Sequence, residues 1–209
     1  MGDYNAVRIR KANKSITVSN ETPKSETACV KGLFSKHLDQ PGVLSSLFNS
    51  LASESVNVET ARLHANNDGT AFAFLTLEQD NGNVQNAIDF VHGTDQNTFL
   101  ELTYSEKTKL PNFYGEGVYL YEMDGVELKM ALSSKMILTR HENSPGVLLI
   151  LLSALASKNI NIIDLRLGKR NKIGYSALAV DGDSNVINDL LTKLGDQYYE
   201  ANLIELHSQ

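Results

Sequence analysis

The chain is poor in the features that mark many functional classes. It has one cysteine, Cys29, in 209 residues, which excludes an intramolecular disulfide framework and any cysteine-cluster metal site. Cys29 lies in the strand-like run TACVKGLF, where a buried structural thiol is expected. No apolar run reaches the about 20 residues that a membrane span needs. The longest candidate, PGVLLILLSALASKN, meets Lys158 after a helix's length. The start, MGDYNAVRIRKANK, lacks the apolar core of a signal peptide, and Ala6 breaks the myristoylation pattern that Gly2 would begin. A cytoplasmic protein without a membrane partner is therefore expected. Positive charge is not in excess either. The formal net charge is −6, so no nucleic-acid partner is expected. Arg8, Arg10, Lys11 and Lys14 read as the solvated face of a hairpin.

Catalytic signatures are missing as well. His37, His64, His92, His141 and His207 are scattered without metal-ligand spacing. No phosphate-binding loop or dinucleotide glycine fingerprint is present. The run DGDSNVIN begins like a calcium loop at Asp181, Asp183 and Asn185. It has Val186 where glycine is needed and Thr192 where the bidentate glutamate should stand. No catalytic residue, metal or cofactor is expected, and the chain does not read as an enzyme.

What is present is a repeat. HLDQPGVL begins at His37 and HENSPGVL at His141, 104 positions on. At the same spacing Leu51-Ala52-Ser53 matches Leu155-Ala156-Ser157, Asn57 matches Asn161, and Arg62-Leu63 matches Arg166-Leu167. Further on, a one-residue shift sets Gly69 opposite Gly174. Such an ordered series identifies two copies of one unit.

Each copy reads alike. A β-prone stretch (27–37 and 134–141) runs into Pro-Gly. Pro41 and Pro145 cannot sit inside a strand but suit a first helical turn, where the missing N–H is not needed. Leu44, Leu47, Phe48 and Leu51 recur at helical spacing, as do Leu148, Leu151, Leu152 and Leu155. The second helix adds Leu149 and Ile150, so it is expected to be covered on more than one side. Strands at 56–65 and 160–169 lead through the Asn/Asp/Gly-rich turns 66–69 and 170–174 to strands at 70–78 and 175–181. Helices at 83–93 and 184–195 and closing strands at 99–105 and 200–207 complete each copy. The order β-α-β-β-α-β, twice, predicts an α+β fold of two ferredoxin-like units. Hairpins at 6–19 and 117–130, the second turning at Asp124-Gly125, are expected to precede them. The linker is placed at 108–117. The units are accordingly 1–107, with a core at 27–105, and 108–209, with a core at 134–207.

The stretches DQPGVLSSLFNSLASESVNV and NSPGVLLILLSALASKNINI resemble the ACT domain, a small-molecule-sensing module of amino-acid metabolism. The second copy, with NINIIDLRLGKRNKIGYSALAVDGD, resembles the C-terminal regulatory domain of phosphoglycerate dehydrogenases. The first departs from that pattern at LHANNDGTAFAFLTLE. The resemblance implies a ligand site at the loop between first strand and first helix, formed where two domains meet side by side. It implicates His141, Asn143, Pro145, Gly146, Val147, Leu148 and Asn161 in the second copy. In the first it implicates His37, Asp39, Pro41, Gly42, Val43, Leu44 and Asn57. In serine-sensing members the matching His and Asn positions bind serine.

The chemistry is compatible with that role. A helix start offers unpaired N–H groups and a positive dipole end to a carboxylate. Asp39 or Asn143 can accept from an ammonium, and the charge on Asp39 is expected to strengthen that contact. The same residues also have a structural reading: Pro-Gly as a bare turn, Asn57 and Asn161 as partners for backbone groups, His37 and His141 as strand-end histidines.

The expected function is thus a non-catalytic regulator. It would bind a small amino acid, serine first among them, and act on a metabolic enzyme partner or as a homodimer. No nucleotide-binding domain accompanies it, so the regulator is expected to act alone or on a separate protein. The alternative is an interaction module that has lost its ligand.

Overall fold

The computed structural model describes residues 6–11, 14–19, 29–78, 82–94, 98–109 and 118–206. Four sequence expectations lie outside the described residues: the buried state of the Cys29 side chain, the solvated basic face at 8–14, the turn at 12–13 and the linker from 110 to 117. The first unit runs β3 (Cys29–Leu38), α1 (Val43–Ser53), β4 (Val58–Ala65), β5 (Thr70–Leu77), α2 (Asn83–Thr94) and β6 (Phe99–Lys109). The second runs β9 (Lys135–Glu142), α3 (Val147–Ser157), β10 (Asn161–Arg170), β11 (Ile173–Asp181), α4 (Ser184–Leu191) and β12 (Tyr198–Glu205). The expected βαββαβ order is present twice. Two hairpins, β1 (Ala6–Lys11) with β2 (Lys14–Ser19) and β7 (Tyr119–Met123) with β8 (Val126–Ala131), precede them. Asp124 and Gly125 both take positive φ, as a two-residue hairpin turn requires.

Neither proline opens its helix. Gly42 and Gly146 stand at the helix starts with φ of 93° and 83°, and the helices begin one residue later, at Val43 and Val147. A left-handed residue cannot be the first helical one, so Pro41 and Pro145 occupy the preceding turn, with Gly following, as in a type II turn. The Val43 and Val147 amides close these turns onto Gln40 and Ser144 carbonyls at 3.4 and 3.3 Å.

The two units join edge to edge. One eight-stranded antiparallel sheet has the order β12-β9-β11-β10-β4-β5-β3-β6. At its centre β10 pairs with β4, with Arg166 opposite Arg62 and Leu165 opposite Leu63. Since Arg62 and Arg166 are equivalent positions, an approximate two-fold axis passes between them. Arg166 is buried there. It donates to the Asp164 carboxylate and, at 2.7 Å, to the Leu63 carbonyl of the other unit.

Strand alternation sends one set of side chains to each face of this sheet. On one face Leu33, Leu63, Leu75, Ile137, Leu165 and Leu178 meet the apolar stripes of all four helices in a single core. On the other face Met136, Leu138, Tyr175, Ala177 and Ala179 pack against Leu120, Val126, Leu128 and Met130 of β7 and β8. The two hairpins themselves form a separate sheet of order β1-β2-β7-β8.

The register corrects one alignment. His37 pairs with Ala71, whereas His141 pairs with Gly174. Likewise the Asp39 amide bonds the Gly69 carbonyl where the Asn143 amide bonds that of Lys172. Gly69 therefore corresponds to Lys172, and Gly174 to Ala71. The β10–β11 turn is one residue shorter than the β4–β5 turn, so the spacing falls to 103 rather than rising to 105. The aborted calcium loop also has a local explanation. Asp183 caps α4, accepting from the Asn185 and Val186 amides.

Candidate functional site

Edge pairing of the two units brings each Pro-Gly loop against the other unit. In one cleft His37, Asp39, Gln40, Pro41, Gly42 and Leu44 face Leu152, Ala156 and Asn161. In the other, His141, Asn143, Ser144, Pro145, Gly146 and Leu148 face Phe48, Leu51 and Asn57. The predicted residues are thus brought together, but in crossed sets. Asn161 lies with His37 and Asp39, and Asn57 with His141 and Asn143. Each asparagine lies against the loop of the other copy rather than its own, because β4 and β10 run antiparallel and adjacent at the centre of the sheet. Val43 and Val147 line neither cleft; both are buried at the first helical positions. Gln40, Ser144, Leu152 and Ala156 are lining residues that sequence reasoning missed. Ser144 and Gln40 stand inside the quoted octapeptides, whereas Leu152 and Ala156 belong to the facing helix and carry no local signal.

The two histidines are held alike. His37 Nδ1 lies 2.9 Å from the Leu38 carbonyl and His141 Nδ1 2.9 Å from that of Glu142. A carbonyl only accepts, so each ring carries its proton on Nδ1, leaving Nε2 as an acceptor. Both rings are 2% exposed, and neither Nε2 has a partner among the described residues. Burial lowers both pKa values, most of all by desolvating the charged form, so both rings are neutral at pH 7. The His37 ring tilts over Phe99 at 5.7 Å between centroids, and His141 over Tyr198 at 5.4 Å. Tyr198 also donates to the Val147 carbonyl at 2.9 Å, pinning the start of α3 to β12. Gly174 makes room for His141: a Cβ there would lie 2.8 Å from Nδ1.

The asparagines differ. Asn161 donates across the junction to Asp39 at 2.9 Å. Asn57 instead donates within its own unit, to Glu78 at 2.7 Å. Glu78 also meets Lys169 at 3.3 Å, and Lys169 reaches Glu59 at 2.6 Å. The bonds from Asn57 and Lys169 hold the Glu78 carboxyl below the usual carboxylate range. The helix starts carry no side-chain cap. Each cleft is partly open to solvent, and its recessed part measures about 20 Å³, room for a water.

Among the described residues no cluster of three or more His, Cys, Asp or Glu could hold a metal ion, and no helix is long and apolar enough to cross a membrane. No protein-family model matches the chain, and no curated protein matches it. Solved structures do. An aspartate kinase from Synechocystis is similar at 17% identity and a TM-score of 0.49, over 91% of this chain and 28% of that one. The chain therefore spans well under a third of that kinase. The acetolactate synthase small subunit from Thermotoga maritima is similar at 12% identity and a TM-score of 0.30, over 84% of this chain and 92% of that one. A chlorite dismutase from Candidatus Nitrospira defluvii is similar at 13% identity and a TM-score of 0.25, over 84% and 88%. Likeness at these levels assigns no activity, ligand or partner.

Proposed function

We propose that this chain is a non-catalytic regulatory protein that binds a small amino acid, serine first among the candidates, in the clefts between its two units. The units are 1–107 and 108–209, and the chain acts as a homodimer or on an enzyme of serine or related amino-acid metabolism. The resemblance of both repeats to ACT domains supports this reading. The observation that carries it is the crossing of the copies: each loop and helix start faces the asparagine-bearing strand of the other unit, beside a buried and unpartnered imidazole acceptor.

Each group has a role in that reading. The uncapped start of α1 or α3 takes the ligand carboxylate through backbone N–H groups. The imidazole Nε2 accepts from a ligand hydroxyl or ammonium, and the loop side chain at 39 or 143 supplies the remaining polar contact. A ligand larger than a water that fills the recessed part of a cleft favours a more open packing of the units. That difference in affinity between two packings is what allosteric control requires.

Calorimetric titration of the full chain with the twenty protein amino acids, serine first, tests the proposal. Saturable heat with an integral stoichiometry is expected. Absence of heat across the panel would exclude the sensor. Ile150 favours the second reading, an interaction module, because it is 39% exposed on α3 where the first copy has Ser46. In that case oligomer size depends on protein concentration and on no metabolite.

A further inference from the structure

The two clefts share their histidine, proline, glycine and helix start, and differ in loop charge at one position, Asp39 against Asn143, besides Gln40 against Ser144 and Leu152 against Phe48. Around Asp39 the loop side chain is satisfied, although the Nε2 of His37 has no partner among the described residues. The Asp39 carboxylate takes the Asn161 amide at 2.9 Å, and this bond spans the junction between the units. A bond to a charged acceptor is stronger than one between neutral groups. Among the described residues Asp39 has no cationic partner, and His37 beside it is held neutral by burial. The carboxylate is therefore a standing negative charge in the cleft whose helix start would have to receive a ligand carboxylate. The Asn143 side chain has no such hydrogen-bond partner among the described residues, and the Nε2 of His141 is unpartnered like that of His37. The Glu78 carboxylate, which takes the Asn57 amide, is shared with Lys169 and lies outside the lining of the cleft.

We propose that the clefts are unequal: the His141–Asn143 cleft takes a zwitterionic amino acid, while the bond between Asp39 and Asn161 keeps one from binding in the His37 cleft. This rests on the reading of the chain as an amino-acid sensor and specifies where that sensor works. The Asp39 charge then weakens binding rather than strengthening it, because it repels the ligand's carboxylate and already holds the Asn161 amide. One copy of the repeat serves as the receptor and the other as a clasp that holds the units together.

The test is calorimetry with the same amino-acid panel on the full chain and on three variants. The wild type binds one ligand per chain. His141→Gln abolishes that event, and Asn143→Asp, which copies the clasp into the receptor cleft, weakens it by at least about tenfold. Asp39→Asn, which copies the receptor into the clasp, raises the stoichiometry to two. Unchanged far-ultraviolet circular dichroism in each variant shows that folding is not the cause. Two equal sites in the wild type overturn the proposal. So does a single site that survives His141→Gln, or an Asn143→Asp protein of unchanged affinity, or an Asp39→Asn protein that still binds one ligand. No heat with wild type and Asp39→Asn alike removes the sensor reading itself, a result distinct from all of these.

Discussion

The first and second units share an order of elements but bury themselves differently. Around α1, Ser50 is fully buried and donates to the Ala87 carbonyl at 2.6 Å, stitching α1 to the twelve-residue α2. The equivalent residue of α3 is Ala154, which bonds nothing through its side chain, and α4 has only eight residues. On the opposite sheet face the second unit is covered by β7 and β8, whereas Phe34 and Phe72 of the first are only half-buried, stacked at 5.7 Å. The second unit thus gains apolar cover on its sheet and leaves Ile150 exposed on α3, while the first leaves Phe34 and Phe72 half-buried on its sheet and Phe90 exposed on α2. Once two copies fill one sheet, each can change its outer surfaces independently, while the loops at the shared junction remain matched.

The largest effect that probes this comparison is in the core. Leu155 is fully buried in α3, and Leu155→Ala should cost about 2–5 kcal/mol in urea denaturation. Ile150→Ser, which gives α3 the residue of α1, should stay within about 0.5 kcal/mol. A cost above that range would mean that the Ile150 surface is covered in solution. Next is the glycine behind His141. Gly174→Ala should cost about 1–3 kcal/mol by forcing the ring aside. Ala71→Gly, the reverse change behind His37, should cost only about 0.5–1 kcal/mol, from backbone entropy and the lost methyl. Equal costs would show that the absence of a side chain at Gly174 is not what makes room for the His141 ring.

The junction gives a smaller contrast. Asn161→Ala removes a bond to a carboxylate across the units and should cost about 1–2 kcal/mol. Asn57→Ala removes an exposed bond within one unit and should cost less than about 0.5 kcal/mol. The smallest effect is in pH dependence. The folded-state pKa of His141 is depressed by burial, so below the unfolded value of about 6.5 the unfolded chain binds more protons. Stability from the neutral ring is complete above that pH and is lost as pH falls through 6.5 toward the folded value. Burial raises Asp164 to about 6, an opposite slope in an overlapping window. The comparison is therefore the difference between wild type and His141→Gln, whose acid destabilisation should be shallower. Equal slopes would mean that burial does not hinder protonation of His141.

Much of this was legible along the chain. The repeat, the strand–helix order and the Asp124-Gly125 turn follow from periodicity and turn chemistry acting over a few residues. The histidine and Pro-Gly positions were legible for the same reason. Other features were not. Pro41 looked like a first helical residue because proline suits that place, but the positive φ of Gly42 delays the helix. Gly69 was matched with Gly174 by identity, but strand register pairs positions by geometry and the shorter turn moves the match to Ala71. Val43 and Val147 belong to the legible octapeptide, yet they line no cleft.

By itself the sequence determined two copies of a βαββαβ unit, each with a Pro-Gly loop before an amphipathic helix, because those features are set by neighbours within a turn or a strand. Only the tertiary structure decided that β4 lies beside β10, that Asn161 meets Asp39 over 122 positions of chain, and that the two hairpins share one sheet. Edge pairing between distant strands depends on backbone groups that every residue carries. It leaves no periodic mark in the sequence, and it alone determines which loop faces which asparagine.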